Sequence, residues 1–318
     1  KNRIIWVGTG EANSSRSSYA GIGVYKSDNN GKTWSYLGLP ETHHIGKVQL
    51  SPTDPNVAWV AALGHLYSEN KERGIYKTAD GGKTWKQTLY IDANTGGIDI
   101  DIDPKNPNNL YAAMWYKTRS ASNFVEAGKT SGIYKSTNGG DSWTLASTAA
   151  SGFPTGEGVG RIGIAVYPEN PSIVYAIVDN NTHQSDTTLK KYSDTSRYAL
   201  RDFKDLTVDQ FLALDDRKFT TFIRSPRNGL PIKYTVAGIK EDVKSGKLLP
   251  NCIWDYLYDA NTALFETPII GAEVYRSEDA GVTWKKTHEK SINLYSTYGY
   301  YFGKVFISPS NANKIVIT

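Results

Sequence analysis

The chain has 318 residues, enough to bury a large core, and its formal charge is only +4, from 36 Lys and Arg against 32 Asp and Glu. Without a long basic run that balance excludes nucleic acid as an expected partner, and no stretch is apolar enough to span a membrane. Cys252 is the single cysteine, so no intrachain disulfide can form and the redox compartment stays open. The 29 Gly, 21 Tyr and 8 Trp suit an all-β protein with many tight turns.

The chain opens at Lys1 directly inside a repeat, as a processed or truncated protein would. Arg3-Ile4-Ile5-Trp6-Val7 reads as a strand, and a turn follows at Ser27-Asp28-Asn29-Asn30-Gly31-Lys32-Thr33-Trp34. That turn returns as Lys77-Thr78-Ala79-Asp80-Gly81-Gly82-Lys83-Thr84-Trp85, as Ser136-Thr137-Asn138-Gly139-Gly140-Asp141-Ser142-Trp143, and as Ser277-Glu278-Asp279-Ala280-Gly281-Val282-Thr283-Trp284. The fixed Gly suits a backbone angle that Cβ forbids. The hydroxyl, with the Asp or Asn two places later (Asn29, Asp80, Asn138, Asp279), can bond turn N–H groups. The Trp is expected to pack under its hairpin. These carboxylates are read as structural, because the spacing and terminal Glu of a calcium loop are absent.

A second element keeps step with the first. Val48-Gln49-Leu50-Ser51-Pro52 leads through a Pro/Asn turn to Val57-Ala58-Trp59-Val60-Ala61, and related copies begin at Ile100, Ile164 and Val305. Each is a strand, a turn and a strand. One unit is therefore four antiparallel strands, repeated about every fifty residues, which predicts β-propeller blades. Blade one lacks its first strand, blades two and three are complete, blade four is interrupted, and blade five has half its strands. The chain reads as an arc of a ring of about seven blades or more, the remaining blades coming from a parent protein.

Three segments follow: 1–178 with blades one to three and half of blade four, a helical insertion at 179–271, and 272–318 with the rest. In the insertion one amphipathic helix is expected through Leu206, Phe211, Leu212, Leu214, Phe219, Phe222 and Ile223, opened by a capping box of Thr207 and Gln210. A second is expected over Val236 to Ser245, closed by Gly246. A third begins near Asn251 and carries Trp254, Leu257, Tyr258 and Leu264.

Because antiparallel strands alternate ends, the Pro turns and the recurring turns share one face, and the long connections share the other. Every histidine (His43, His44, His65, His183, His288) falls in or beside those long loops, as do Glu11, Arg16, Glu69, Arg73, Arg119, Glu126, Glu157, Arg161 and the run Tyr298-Gly299-Tyr300-Tyr301-Phe302. Loops on a rigid scaffold are where binding concentrates. His43, His44 and His65 have no recognised zinc spacing, so no metal and no cofactor is expected.

The recurring turn resembles the Asp-box, or BNR repeat, with Asn29, Trp34, Asp80, Trp85, Asn138, Trp143, Asp279 and Trp284 as its structural residues. Beyond it, Trp6-Val7-Gly8-Thr9-Gly10-Glu11-Ala12-Asn13, Ala61-Ala62-Leu63-Gly64-His65-Leu66-Tyr67 and Tyr298-Gly299-Tyr300-Tyr301-Phe302-Gly303 resemble large exported bacterial BNR-repeat proteins. Those are often labelled glycosyl hydrolases and are similar to sortilin-type propellers. The resemblance implies an exported protein, extracellular, periplasmic or at the cell surface. On the long-loop face, recognition of a glycan or polypeptide is expected from Arg16, His43, His44, His65, Arg73, Trp115, Arg119, Arg161, Tyr300 and Tyr301. A second likeness, to two-propeller xyloglucanases, implies a glycoside hydrolase with Glu11 as acid or base beside a second carboxylate. The alternative for Glu11 is to bond the loop that contains Arg16. The four loop arginines are similar to those of sialidases, whose Arg-Ile-Pro motif is missing here. A third likeness, to propellers of the photosystem II assembly type, implies a scaffold without a small ligand.

Overall fold

The computed structural model describes residues 3–120, 123–183, 197–228, 230–257, 269–290, 292, 294–295 and 298–318. The chain divides into two compact units, Lys1–His183 with Ile269–Thr318, and Gln184–Pro268.

The first unit is a series of propeller blades. Blade one is β1 (Ile5–Gly8), β2 (Val24–Ser27) and β3 (Ser35–Tyr36). Blade two is β4 (Ile45–Leu50), β5 (Ala58–Ala62), β6 (Gly74–Thr78) and β7 (Lys86–Leu89), hydrogen-bonded in that order. Blade three uses β8 (Thr95–Ile102), β9 (Leu110–Tyr116), β12 (Gly132–Ser136) and β13 (Thr144–Leu145), and a small hairpin of β10 (Thr118–Arg119) and β11 (Phe124–Val125) stands in its long connection. Blade four is β14 (Val159–Val166), β15 (Val174–His183), β16 (Ile269–Ser277) and β17 (Lys285–Lys286); β15 and β16 run on past the repeat to pair His183 with Ile269. β18 (Val305–Ser308) and β19 (Asn311–Ile317) form the half blade. All pairings are antiparallel, and β4, β8, β14 and β18 pack in succession as inner strands.

The core lies between blades, and a period of two residues sorts it. Along β9, Tyr111, Ala113 and Trp115 join the cluster shared with blade four, while Leu110, Ala112 and Met114 join the cluster shared with blade two. Along β5, Trp59 and Ala61 face blade three, whereas Val60 and Ala62 face blade one. Successive strand side chains point to opposite faces, so a middle strand must be apolar on both. Its continuous run of hydrophobic residues follows from that.

The four turns are built alike. The hydroxyl of Ser27, Thr78, Ser136 or Ser277 accepts from the N–H of Gly31, Gly82, Gly140 or Gly281 at 2.8–2.9 Å. The carboxylate or amide oxygen of Asn29, Asp80, Asn138 or Asp279 accepts the N–H four residues later at 2.8–3.0 Å. Asn serves as well as Asp because the neighbouring hydroxyl reverses its role: Thr84 donates to Asp80, while Asn29 donates to Thr33. Those bonds from Thr84, with one from Thr78, pull the Asp80 carboxyl down to about 2.

The Trp ring lies against its own turn in three copies, where a Cβ on Gly31, Gly140 or Gly281 would stand 3.4–3.6 Å from it. In two copies its indole N–H also reaches back to the preceding blade: Trp85 donates to the Leu37 carbonyl at 2.8 Å and Trp143 to the Thr88 hydroxyl at 3.1 Å. The preceding blade reaches forward in turn, Trp59 donating to the Gly139 carbonyl at 3.1 Å and Tyr111 to the Ala280 carbonyl at 2.9 Å. A Cβ on Gly140 would stand 2.4 Å from the Trp59 indole nitrogen, and Gly140 has φ +80°. Glycine there answers both the turn and the neighbouring blade. Lys77 adds a 2.8 Å ion pair to Asp141 of the next turn.

The second unit is helical around its own cluster of Phe203, Phe211, Phe219, Phe222, Ile223, Val236, Ile239, Val243 and Ile253. The single long helix expected there is two, α1 (Val208–Leu212) and α2 (Asp216–Arg224). Asp215 breaks it by capping α2, accepting from the N–H groups of Arg217 and Lys218. The Thr207–Gln210 capping box opens α1, α3 is Val236–Lys244 with Gly246 at φ +74°, and α4 is Cys252–Leu257. Tyr258 and Leu264 lie outside the described residues.

Candidate functional site

On the propeller unit the long loops bring together part of the predicted set. Tyr67, in the connection after β5, donates its hydroxyl to the Arg16 carbonyl in the connection after β1. The Arg119 guanidinium, on the β10–β11 hairpin, lies 4.2 Å over the Phe124 ring, and Phe124 meets Tyr300 edge-on at 4.9 Å. Tyr298 and Tyr301 flank Tyr300 at 6.0 and 6.5 Å, and Tyr301 packs on Phe302 at 5.1 Å. Tyr298, Tyr301 and Phe302 are 40–52 % exposed, so this loop carries an accessible aromatic surface. Arg119 Nε and Nη1 are buried and have no hydrogen-bond partner. Between Tyr67, Glu69, Asn94, Thr118 and Arg119 lies a cleft of about 170 Å³.

Other predicted residues are spent on the scaffold. Arg73 is 1 % exposed and donates to the carbonyls of His65, Ser68 and Asn94 and to Asn70. Arg161 is 2 % exposed, and its Nη1 donates to the carbonyls of Ala12, Tyr300 and Tyr301 at 3.1, 2.9 and 3.3 Å. It ties the first blade's long loop and the aromatic loop to β14. Trp115, expected to stack on a ligand, is instead wholly buried, its indole N–H on the Glu126 carbonyl at 2.7 Å. A ring enclosed in the core offers no stacking face. His44 is 3 % exposed, and burial first, then Lys117, brings its imidazole down to about 4. His43 and His65 stack on each other at 3.9 Å.

Glu11 is exposed, and its carboxylate accepts from the Tyr19 N–H at 3.4 Å within its own loop. Glu69 accepts from Asn94, and Glu157 pairs with Lys129 at 3.0 Å. Glu126 behaves differently. Burial, and then the charge of Asp179, push it up to about 8, and one of its oxygens has no partner. Burial pushes Asp179 up to about 7, against a bond from Asn181 and the charge of Arg161. Asp179 and the buried Lys117, held well below its usual value by burial and by Arg73 and Arg119, were not picked out by sequence. Asp179 ends the apolar run of β15, and that position was its only signal.

Raised carboxyls give a stability profile with a definite sign. The fold favours neutral Glu126, so its contribution is full below 4.5, its ordinary value, and is lost as pH rises through about 8. Asp179 adds the same trend between 3.8 and about 7. Denaturant midpoints measured at about pH 5 and about pH 8 should therefore fall with pH, and Glu126→Gln should flatten that fall. Parallel profiles for the two proteins would contradict it.

Four-stranded antiparallel blades latched by reciprocal aromatic contacts define a β-propeller. Residues 23–229 match the Sortilin-Vps10 family, described as "Sortilin, neurotensin receptor 3", and the chain belongs to that family. It is 25 % identical over 191 residues to the vacuolar protein sorting/targeting protein 10 of Kluyveromyces lactis, across 55 % of this chain and 12 % of that protein. The chain thus spans a small part of that relative's length. Among solved structures, the GH74 enzyme of Niastella koreensis aligns over 99 % of this chain and 33 % of its own, with TM-score 0.51 at 16 % identity. The GH74 xyloglucanase of Xanthomonas campestris aligns over the same shares with TM-score 0.48 at 13 % identity. At these identities the likeness to the first is one of fold.

Proposed function

We propose that this propeller is an exported recognition module that binds a polypeptide on its long-loop face. The observation that carries the reading is the exposed aromatic loop Tyr298–Phe302, set beside Arg119 and joined to it through Phe124. Tyrosine and arginine are the residue types that anchor recognition surfaces, because one offers a rigid amphipathic ring and the other a directed fork of donors. Membership of the Sortilin-Vps10 family supports a polypeptide over a glycan.

A peptide-array screen followed by titration tests it. Tyr300→Ala and Arg119→Ala are each expected to weaken the selected peptide by about tenfold or more, while Glu11→Gln leaves affinity unchanged. Equal affinity in all three would remove the aromatic loop from the site.

The glycoside hydrolase reading survives through different residues. Glu126 is kept protonated near neutral pH, as a general acid needs, and Asp179 is close enough to raise it. Release of sugar from a polysaccharide by the wild type, abolished in Glu126→Gln, would favour the enzyme. Binding without release would favour the recognition module.

A further inference from the structure

We propose that Glu41, His43 and His65 form a binding site for a divalent transition-metal ion of the zinc class on the long-loop face. Glu41 sits in the short helical turn Pro40–Thr42, and His43 follows it; both belong to the link between blades one and two. His65 comes from the connection after β5. Their ligating atoms, one oxygen and two imidazole nitrogens, all lie within 4.8 Å of one another. The Glu41 Oε2 is 3.3 Å from His65 Nε2 and 3.7 Å from His43 Nε2.

Three features make this a built arrangement. First, His65 Nδ1 is bonded to the Ser68 hydroxyl at 3.0 Å. With Nδ1 as donor, Nε2 presents its lone pair to the cluster, the usual way an outer partner orients a ligating imidazole. Second, Asn70 ties the two loops together. It donates to the Glu41 carbonyl and to the Glu72 carboxylate, each at 3.2 Å, and accepts from the His65 N–H at 3.1 Å. Third, His43 and His44 diverge. At φ 45° the His43 backbone directs its ring onto His65, while His44 is buried.

Two imidazoles and a carboxylate that converge here offer three electron-pair donors to one cation. Zinc bonds nitrogen and oxygen at about 2.0–2.2 Å, which puts ligating atoms ~3.0–3.5 Å apart. The His65–Glu41 separation already fits. The two rings, now 3.9 Å between centroids and 22° apart, would have to open by about 1 Å to share one ion. Two His and one Glu leave a fourth position for water, and the 60 % exposed Glu41 side chain keeps it accessible. The ion would cross-link two loops on the same face as the aromatic patch.

The test is zinc competition against a chromophoric chelator, using the whole chain with Cys252→Ser so that no thiol contributes. One ion per chain is expected. Glu41→Gln, His43→Ala and His65→Ala should each weaken it by at least about tenfold, and His183→Ala should leave it unchanged. Circular dichroism confirms that each variant is folded, and the exposed Glu41→Gln is the variant least able to disturb the fold. Cobalt substitution should give visible d–d bands that vanish in the same variants. Wild-type affinity no greater than that of Glu41→Gln, or a loss in His183→Ala equal to the others, would overturn the proposal.

Discussion

Trp284→Ala should destabilise the propeller unit by about 3–5 kcal/mol, and Trp34→Ala by well under half as much. The two residues hold the same place in the same turn. They differ in cover: Trp284 is 3 % exposed and Trp34 is 44 % exposed. Trp284 packs on Phe153 at 5.5 Å within the cluster between blades three and four. Removing it opens a cavity that rigid sheets on either side cannot close, and cavity volume adds to the lost transfer energy. Chemical denaturation of both variants measures the difference directly. Equal losses would mean that the turn itself, rather than the contact between blades, is what the tryptophan stabilises.

Arg161→Ala should cost about 3–5 kcal/mol and abolish binding at the aromatic loop in the same variant. Its guanidinium is the shared partner of three carbonyls from two loops distant in sequence. An unpaired buried carbonyl costs about 1–3 kcal/mol, and Asp179 would lose the cation that opposes its burial. Arg161→Lys is the conservative control, since a single nitrogen, Nη1, makes all three bonds and an ammonium carries three donors. Arg119→Ala is the informative contrast, since Arg119 is half-buried beside the Phe124 ring and should lose binding at nearly constant stability. The thermal midpoint and peptide affinity, measured on all three, separate the roles. A stable Arg161→Ala protein with normal affinity would show that the loops hold themselves.

Much of the fold was legible because its signals are local. Gly31, Gly82, Gly140 and Gly281 mark turns whose hydrogen bonds close within five residues, and alternation along Ala58–Ala62 marks a strand apolar on both sides. The break at Asp215 was missed because Leu214 continues the apolar spacing across it. A cap competes with helix continuation through a single side chain, which periodicity does not register.

The site was less legible, because its chemistry depends on burial and on partners far along the chain. Arg16, Arg73, Arg119 and Arg161 look alike as loop arginines, yet Arg73 and Arg161 are buried and donate to several backbone oxygens while Arg119 lies on the Phe124 ring. Glu11 and Glu126 look alike as loop acids, yet Glu11 is exposed while Glu126 is dry enough to hold its proton near neutral pH. Sequence by itself determined the blade, its four strands and the face on which the long loops emerge, because strand alternation and turn chemistry are short-range. Tertiary structure alone decided which side chains on that face stay exposed and which are spent on the scaffold. Desolvation and hydrogen-bond saturation are set by neighbours more than a hundred residues away, as Ala12 and Tyr300 are from Arg161.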